Sequence, residues 1–250
     1  MVGFLPSTIE MTQIARAKRI GAALFVADWR DALFVHFRVD PAELEARVPL
    51  ELDLYNGCAY VSLVAFRQER LRAAIGVPEF LSRPLATHSF LNLRTYVVHE
   101  GEAGIYFLAE WIPNRLAVFL GPRLYGLPYR LAELEYETSA GCAVRRGKAD
   151  GEFSCRAQWK AGEMPLPAQS GSETEFLIER YCAYTVRKGA LRRFRIEHEP
   201  WRQVEAEVSI QCRDLLGDLL GDLPLAVPCS AQYSPGLKGV RISPPGRLGR

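Results

Sequence analysis

The sequence predicts an α+β fold dominated by antiparallel β-sheet, on three observations. Apolar and polar residues alternate with a period of two through most of the chain, most cleanly in His88–His99 (HSFLNLRTYVVH). Short turns carrying Gly, Asn-Gly or Asp-Pro separate these runs. Helical patterns are few and short. The count comes to about a dozen strands and four short helices, the pattern of one large domain.

Composition sets the outer bounds. The chain has 250 residues, 48% hydrophobic and 24% charged, with a formal net charge of +2. A chain of this length buries enough surface to need no metal or disulfide support. The charge gives no push toward nucleic acid or membrane. Of 31 basic residues only five are lysines (Lys18, Lys148, Lys160, Lys188 and Lys238), leaving 26 arginines. Coding bias explains that excess, and so do extra guanidinium sites for carboxylates. The six cysteines are scattered without a C-x-x-C pair, which argues for reduced thiols and a cytoplasmic protein.

In chain order, residues 1–28 read as a lead-in to a single domain spanning 1–250. Arg16, Lys18 and Arg19 before the apolar run Ile20–Ala27 imitate a signal peptide faintly. The run is at the short limit and meets Asp28 without a clean cleavage site. It is far too short to span a bilayer. Ala32–Val39 is a strand. Asp40 can cap a short helix over Pro41–Val48, with Pro41 at its first position. Asn56-Gly57 signals a hairpin into Cys58–Arg67. Leu71–Pro84 is a loop able to overhang a site. In His88–His99, Phe90, Asn92, Arg94 and Tyr96 share one face, and Leu91, Leu93, Thr95 and Val97 the other. Ile105–Ile112 is the next strand.

Arg115–Glu137 (RLAVFLGPRLYGLPYRLAELEYE) then reads as an amphipathic helix, a tight Gly-Leu-Pro-Tyr-Arg turn and an alternating strand. This unit is expected to wall a small-molecule cavity. If Asn114 caps the helix, Pro122 falls near its eighth position. A proline there costs about 3 kcal/mol, so a kink or restart is expected at Gly121-Pro122. Strands follow at Leu131–Ser139, Gly141–Arg146 and Glu152–Lys160. Glu163–Ser172 is a linker that does not divide domains, because strands resume beyond a short helix at Glu173–Arg180. These are Tyr181–Arg187, Arg193–His198, Arg202–Cys212, Val227–Tyr233 and Lys238–Ile242, with a crossing helix at Asp214–Leu220.

Phosphate-loop, dinucleotide, nucleophile-elbow and H-E-x-x-H motifs are absent. The histidines (His36, His88, His99 and His198) lie in different strands, where each is better read as satisfied by hydrogen bonds than as a metal ligand. Glu133, Glu135 and Glu137 make a solvated row. Arg94 is the most suggestive residue. A mid-strand guanidinium must be paired or line a polar cavity, and both a structural ion pair and carboxylate binding stay open. Tyr181 and Tyr184 need partners for their hydroxyls if buried.

A set of segments carries a family resemblance. Trp29-Arg30-Asp31-Ala32-Leu33-Phe34-Val35-His36, Leu91-Asn92-Leu93-Arg94-Thr95-Tyr96-Val97, Arg115-Leu116-Ala117-Val118, Gly126-Leu127-Pro128-Tyr129, Glu179-Arg180-Tyr181-Cys182 and His198-Glu199-Pro200-Trp201 occur in that order. Together they resemble the YqjF-like proteins, a bacterial family in the acetoacetate decarboxylase-like superfamily. The resemblance implies a cone or barrel-like, largely antiparallel sheet enclosing a cavity. In the decarboxylase a helix runs into a Tyr-Pro-Lys-Lys turn whose first lysine forms a Schiff base. Such a lysine, with its pKa lowered by a cationic neighbour, is a standard example of an activated amine. Here Tyr129 stands where that amine belongs and Arg130 where its neighbour belongs, and neither forms an imine. Arg30 resembles the decarboxylase's substrate-side arginine. The acid expected near the start of the Arg94 strand is replaced by Phe90 or Asn92.

The resulting expectation is a cavity that binds a small anionic, oxo-acid-like metabolite through Arg30, Asn92, Arg94 and Tyr129, without Schiff-base chemistry. If a reaction occurs, Tyr129 is the candidate proton donor, its pKa lowered by Arg130. The alternative is a non-catalytic binding or regulatory module with an apolar or closed cavity. No cofactor or metal is expected. The partner is a small molecule, a carboxylate by preference, rather than nucleic acid or membrane, and a homo-oligomer stays open.

Overall fold

The structure, a computed structural model, describes residues 22–74, 79–149, 151–212, 215–216 and 227–248. The strands are β1 (Phe25–Val39), β2 (Glu51–Leu52), β3 (Ala59–Ala73), β4 (His88–His99), β5 (Glu102–Ile112), β6 (Tyr129–Leu131), β7 (Glu133–Ser139), β8 (Cys142–Lys148), β9 (Glu152–Gln158), β10 (Leu166–Pro167), β11 (Cys182–Arg187), β12 (Ala190–Glu197), β13 (Arg202–Glu205), β14 (Glu207–Gln211), β15 (Ser230–Ile242) and β16 (Gly246–Arg247). The helices are α1 (Pro41–Glu45), α2 (Glu79–Ser82), α3 (Arg115–Leu124) and α4 (Glu173–Ile178). The signal-like residues before Ala22, much of the loop after Ala74 and most of Asp214–Leu220 lie outside the described residues.

A twelve-stranded sheet follows the order β10-β13-β15-β1-β3-β4-β5-β11-β12-β16, with β2 paired to β4 and β6 to β5 off this path. Pairing of β12 with β15, Ile196 opposite Ile242 and Glu197 opposite Arg241, brings it round on itself in a ring. Most joints are antiparallel, as expected; β5 also takes β6 and β11 in parallel. The strands after the Glu163–Ser172 linker re-enter this sheet beside those before it. A second sheet, β14-β9-β8-β7, lies against the outside.

The period-two alternation divides the core. Leu33, Val35, Phe37, Leu63, Leu91, Leu93 and Trp111 point outward and pack with Tyr136, Phe153 and Cys155 of the small sheet. Phe34, Val64, Phe66, Phe90, Tyr96 and Phe107 point inward and meet Phe176 and Trp201. The expected run Arg202–Cys212 serves both sheets, β13 pairing with β15 and β14 with β9, so it is two strands rather than one. At Asn56-Gly57 both residues have positive φ (51° and 78°), but the hairpin is one bridge, Tyr55 to Cys58. The long partners of β3 are β1 and β4.

The caps behave as local chemistry dictates. Ala42 N–H donates to Asp40 Oδ1 at 2.9 Å, and Ala117 N–H to Asn114 Oδ1 at 3.0 Å. Ser172 caps α4, and Glu175 reaches back to the Gly171 N–H at 2.7 Å. All six cysteines are free thiols. Among the described residues no helix is long and apolar enough to cross a membrane.

Candidate functional site

The ring lines a partly open cavity of about 170 Å³. That is close to the ~150 Å³ void that admits a benzene ring, so it suits a ligand of roughly six heavy atoms. Its wall is mostly apolar. β1 gives Trp29 and Phe34, β3 Val64 and Phe66, β4 Phe90, and β5 Ile105 and Phe107, with Phe194 and Ile196 from β12.

The Arg115–Glu137 unit supplies another wall, with Ala117, Leu120, Gly121, Leu124, Tyr125, Leu127 and Tyr129 all facing the cavity. α3 does not restart at Pro122. It runs through to Leu124, and Tyr125 N–H and Gly126 N–H close on the Gly121 and Pro122 carbonyls at 2.9 and 3.2 Å. Pro122 has no N–H to bond the Val118 carbonyl, yet the helix continues past it to Leu124. Gly126, at φ 77°, makes the tight turn. Gly121 is required for another reason, since a Cβ there would lie 2.3 Å from two ring carbons of Tyr129. Gly121→Ala is therefore expected to push Tyr129 into the cavity and cost about 1–3 kcal/mol by overpacking. A denaturant midpoint equal to wild type would contradict this contact.

Arg94 lies on the inner face of β4 with Phe90 and Asn92, as the alternation predicts, and is 8% exposed. Its Nη2 donates to the Leu177 carbonyl near the end of α4 at 3.0 Å, and Tyr96 Oη donates to the same oxygen at 2.9 Å. The guanidinium lies over the Phe34 and Tyr96 rings at 5.6 and 5.9 Å. Among the described residues no carboxylate pairs with it, and its Nε has no acceptor. Burial works against its charged form, as does the neighbouring Arg180, while Tyr96 favours it. Arg180 also lines the cavity. Its charge is met by Asp53 at 2.5 Å, its Nε donates to the Phe176 carbonyl at 2.7 Å, and its Nη2 has no partner.

Sequence reasoning missed Glu110. It is 4% exposed, on β5, directly opposite Asn92 of β4 and Tyr129 of β6. Its Oε2 has no hydrogen-bond partner, and burial raises its pKa well above the carboxylate range. The signal was present: an acid inside the apolar run Ile105–Ile112 needs a cation or a cavity. Asn92 Oδ1 is likewise unpartnered.

Tyr129 packs edge-on to Phe90 at 6.0 Å. Burial, then Glu110 and Tyr125, raise its pKa well above the usual phenol. This is opposite to the lowering expected from Arg130. Alternation along β6 turns Arg130 to the other face, beside Trp111, and it is not among the cavity residues. Arg30 is not among them either: its inward neighbour is Trp29, and Arg30 pairs with Glu69 at 3.6 Å on the outside. The strand bulges just beyond it, where Asp31 has φ 51°. The structure thus brings Asn92, Arg94 and Tyr129 together and leaves Arg30 and Arg130 outside.

The histidines differ from one another. His36 is bonded through both ring nitrogens to Ser62 and Gln232. His88, expected to be satisfied, has neither ring nitrogen partnered. Its ring lies 4.7 Å from that of Phe90, tilted by 33°, and burial lowers its pKa to about 4. Tyr181 donates to Glu179, and Tyr184 to the Glu102 carbonyl at 2.9 Å. No group of metal-ligating side chains occurs among the described residues. Among the described residues no lysine lines the cavity; Lys148, Lys160, Lys188 and Lys238 are exposed, and Lys18 lies outside the described residues.

Comparison with known proteins places this geometry. Residues 26–238 match the model of DUF2071, a family of uncharacterized conserved proteins. The protein YqjF of Bacillus subtilis (strain 168) is 37% identical over 190 residues, covering 73% of this chain and 76% of its own length. Among solved structures, the acetoacetate decarboxylase of Legionella pneumophila superposes with a TM-score of 0.66 at 12% identity, over 100% of this chain and 98% of its own. The enduracididine biosynthesis enzyme MppR, complexed with the condensation product of pyruvate and imidazole 4-carboxaldehyde, superposes with a TM-score of 0.68 at 13% identity, over 91% and 90%. At such identities the likeness is one of fold.

Proposed function

The chain belongs to the DUF2071 family of YqjF-like proteins, and we propose that it uses its acetoacetate decarboxylase-like fold to bind a small anionic, oxo-acid-like metabolite without forming an imine. Arg94 carries the reading. A guanidinium buried among aromatic rings, with a backbone carbonyl but no carboxylate partner, bears a desolvation cost that a ligand carboxylate offsets. Asn92 and Tyr129, on the same cavity wall, offer hydrogen bonds to the rest of a molecule of about six heavy atoms. MppR, a neighbour in fold, has also been captured with pyruvate. Tyr129 at the turn has no amine to offer, which sets this site apart from Schiff-base decarboxylation.

Calorimetric titration with pyruvate and acetoacetate tests the reading. Wild type is expected to bind, and Arg94→Met to lose about 1.5–3 kcal/mol of affinity, the worth of a charge-assisted hydrogen bond. Unchanged affinity in Arg94→Met counts against it, and a borohydride-trapped adduct overturns the statement about imines. A second reading, a non-catalytic binding module, draws on the Phe66–Phe90 stack (5.0 Å, 2°) that fills the wall where an acid was expected. Turnover of a bound oxo acid would remove it.

A further inference from the structure

Glu110 is left unexplained by a site that only binds a carboxylate, because a second acid near the ligand would repel it. Its surroundings define what it can do. Asn92, Glu110 and Tyr129 are register partners on three adjoining strands, β4, β5 and β6, and all three line the cavity. They form one lateral row, with Arg94 two residues further along β4, roughly 6–7 Å away by strand geometry. Glu110 has no ion-pair partner among the described residues. The other titratable or charged cavity residues are His88, Arg94, Tyr125, Tyr129, Arg180 and His198. Arg180 is held by Asp53 and Arg94 by Leu177.

A carboxyl in an apolar wall without a cation keeps its proton, and a protonated carboxyl has an O–H to donate. The Asn92 Oδ1 and Glu110 Oε2 are buried without partners, so the row has hydrogen-bonding capacity that the protein itself does not use. We infer that Asn92, Glu110 and Tyr129 form a second, uncharged subsite that takes a carbonyl or hydroxyl oxygen of the ligand, with Glu110 as the donor. The ligand class is then carboxylates bearing an oxo or hydroxyl oxygen, and plain alkanoates are rejected because they leave a buried donor unmet. The inference rests on the carboxylate reading above and adds to it the group that selects among carboxylates.

Two pairs of acids that differ at one carbon test it: pyruvate with propionate, and acetoacetate with butyrate. By titration at about pH 6, wild type is expected to bind each oxo acid at least about tenfold more tightly than its partner, the worth of one buried hydrogen bond. In Glu110→Leu that preference falls to within about twofold while the alkanoate still binds. In Glu110→Gln, whose amide also donates, the preference survives. Equal binding of both acids by wild type, or a preserved preference in Glu110→Leu, overturns the subsite alone. Failure of every acid to bind, or unchanged affinity in Arg94→Met, overturns the carboxylate reading and the subsite with it.

A ligand-free measurement checks the protonation state. A carboxyl whose folded pKa lies above its unfolded value opposes folding as pH rises past the unfolded value. Glu110→Gln is therefore expected to melt higher than wild type at about pH 8 and equally at about pH 4. A lower melting temperature at both would show that Glu110 is held as a carboxylate, and would overturn the donor assignment.

Discussion

Asp53→Ala is expected to lower unfolding stability by about 3–5 kcal/mol, the cost of stranding one half of a buried ion pair. Asp53 and Arg180 lie 2.5 Å apart, with side chains 3% and 1% exposed. Without Asp53, the guanidinium keeps only the Phe176 carbonyl and the faces of the Phe176 and Tyr96 rings at 4.1 and 4.9 Å. It would also share the cavity wall with Arg94, an unneutralised charge of the same sign. Urea unfolding measures the loss. Asp53→Leu combined with Arg180→Met should recover most of it, since an apolar pair of similar volume avoids the desolvation cost. A double variant as unstable as Asp53→Ala would place the penalty in packing rather than in the stranded charge.

The parts of this design that follow from local rules could be read in the sequence. Period-two alternation placed Phe90, Asn92 and Arg94 on one face of β4 and Leu91, Leu93 and Val97 on the other. Asp40, Asn114 and Ser172 cap the helices that follow them. The parts set by long-range pairing could not be read. The Asp53–Arg180 pair joins residues 127 apart, and the ring closes through β12 and β15. Arg30 points outward beside a bulge whose presence depends on the register of two neighbours. Glu110 is a local oddity, an acid inside an apolar run, but the family resemblance expects its acid on the strand of Arg94 and not on the strand beside it, where Glu110 lies. The helix through Pro122 shows tertiary context overriding propensity, with Gly121 pressed against Tyr129.

His36 is expected to make the fold lose stability between about pH 6.5 and pH 3, a loss that begins above the range in which most carboxylates titrate. Its ring is fully buried (0% exposed), bonded to Ser62 Oγ at 2.6 Å and Gln232 Oε1 at 2.8 Å. Ser62 passes the network to Tyr96, which meets the Leu177 carbonyl beside Arg94. Burial first, and then the Arg94 charge, lower its pKa to about 3 against the hydrogen bond its Nε2–H donates to Gln232 Oε1. The sign follows from linkage. Above about pH 6.5 the ring is neutral folded and unfolded, so it imposes no penalty. As pH falls, the unfolded chain takes up a proton that the folded chain refuses, and stability drops by up to about 1.4 kcal/mol per pH unit until the folded ring titrates. His88, lowered to about 4, adds to the slope over much of the same window. Glu110 contributes with the opposite sign, because its folded pKa is raised. Denaturant unfolding at a series of pH values should show the slope in wild type and a shallower one in His36→Gln, which keeps a neutral amide at that position. Equal slopes in the two proteins would mean that His36 accepts its proton in the folded state. The Arg94 wall would then tolerate a second cation, and the electrostatic case for an anionic ligand would weaken with it.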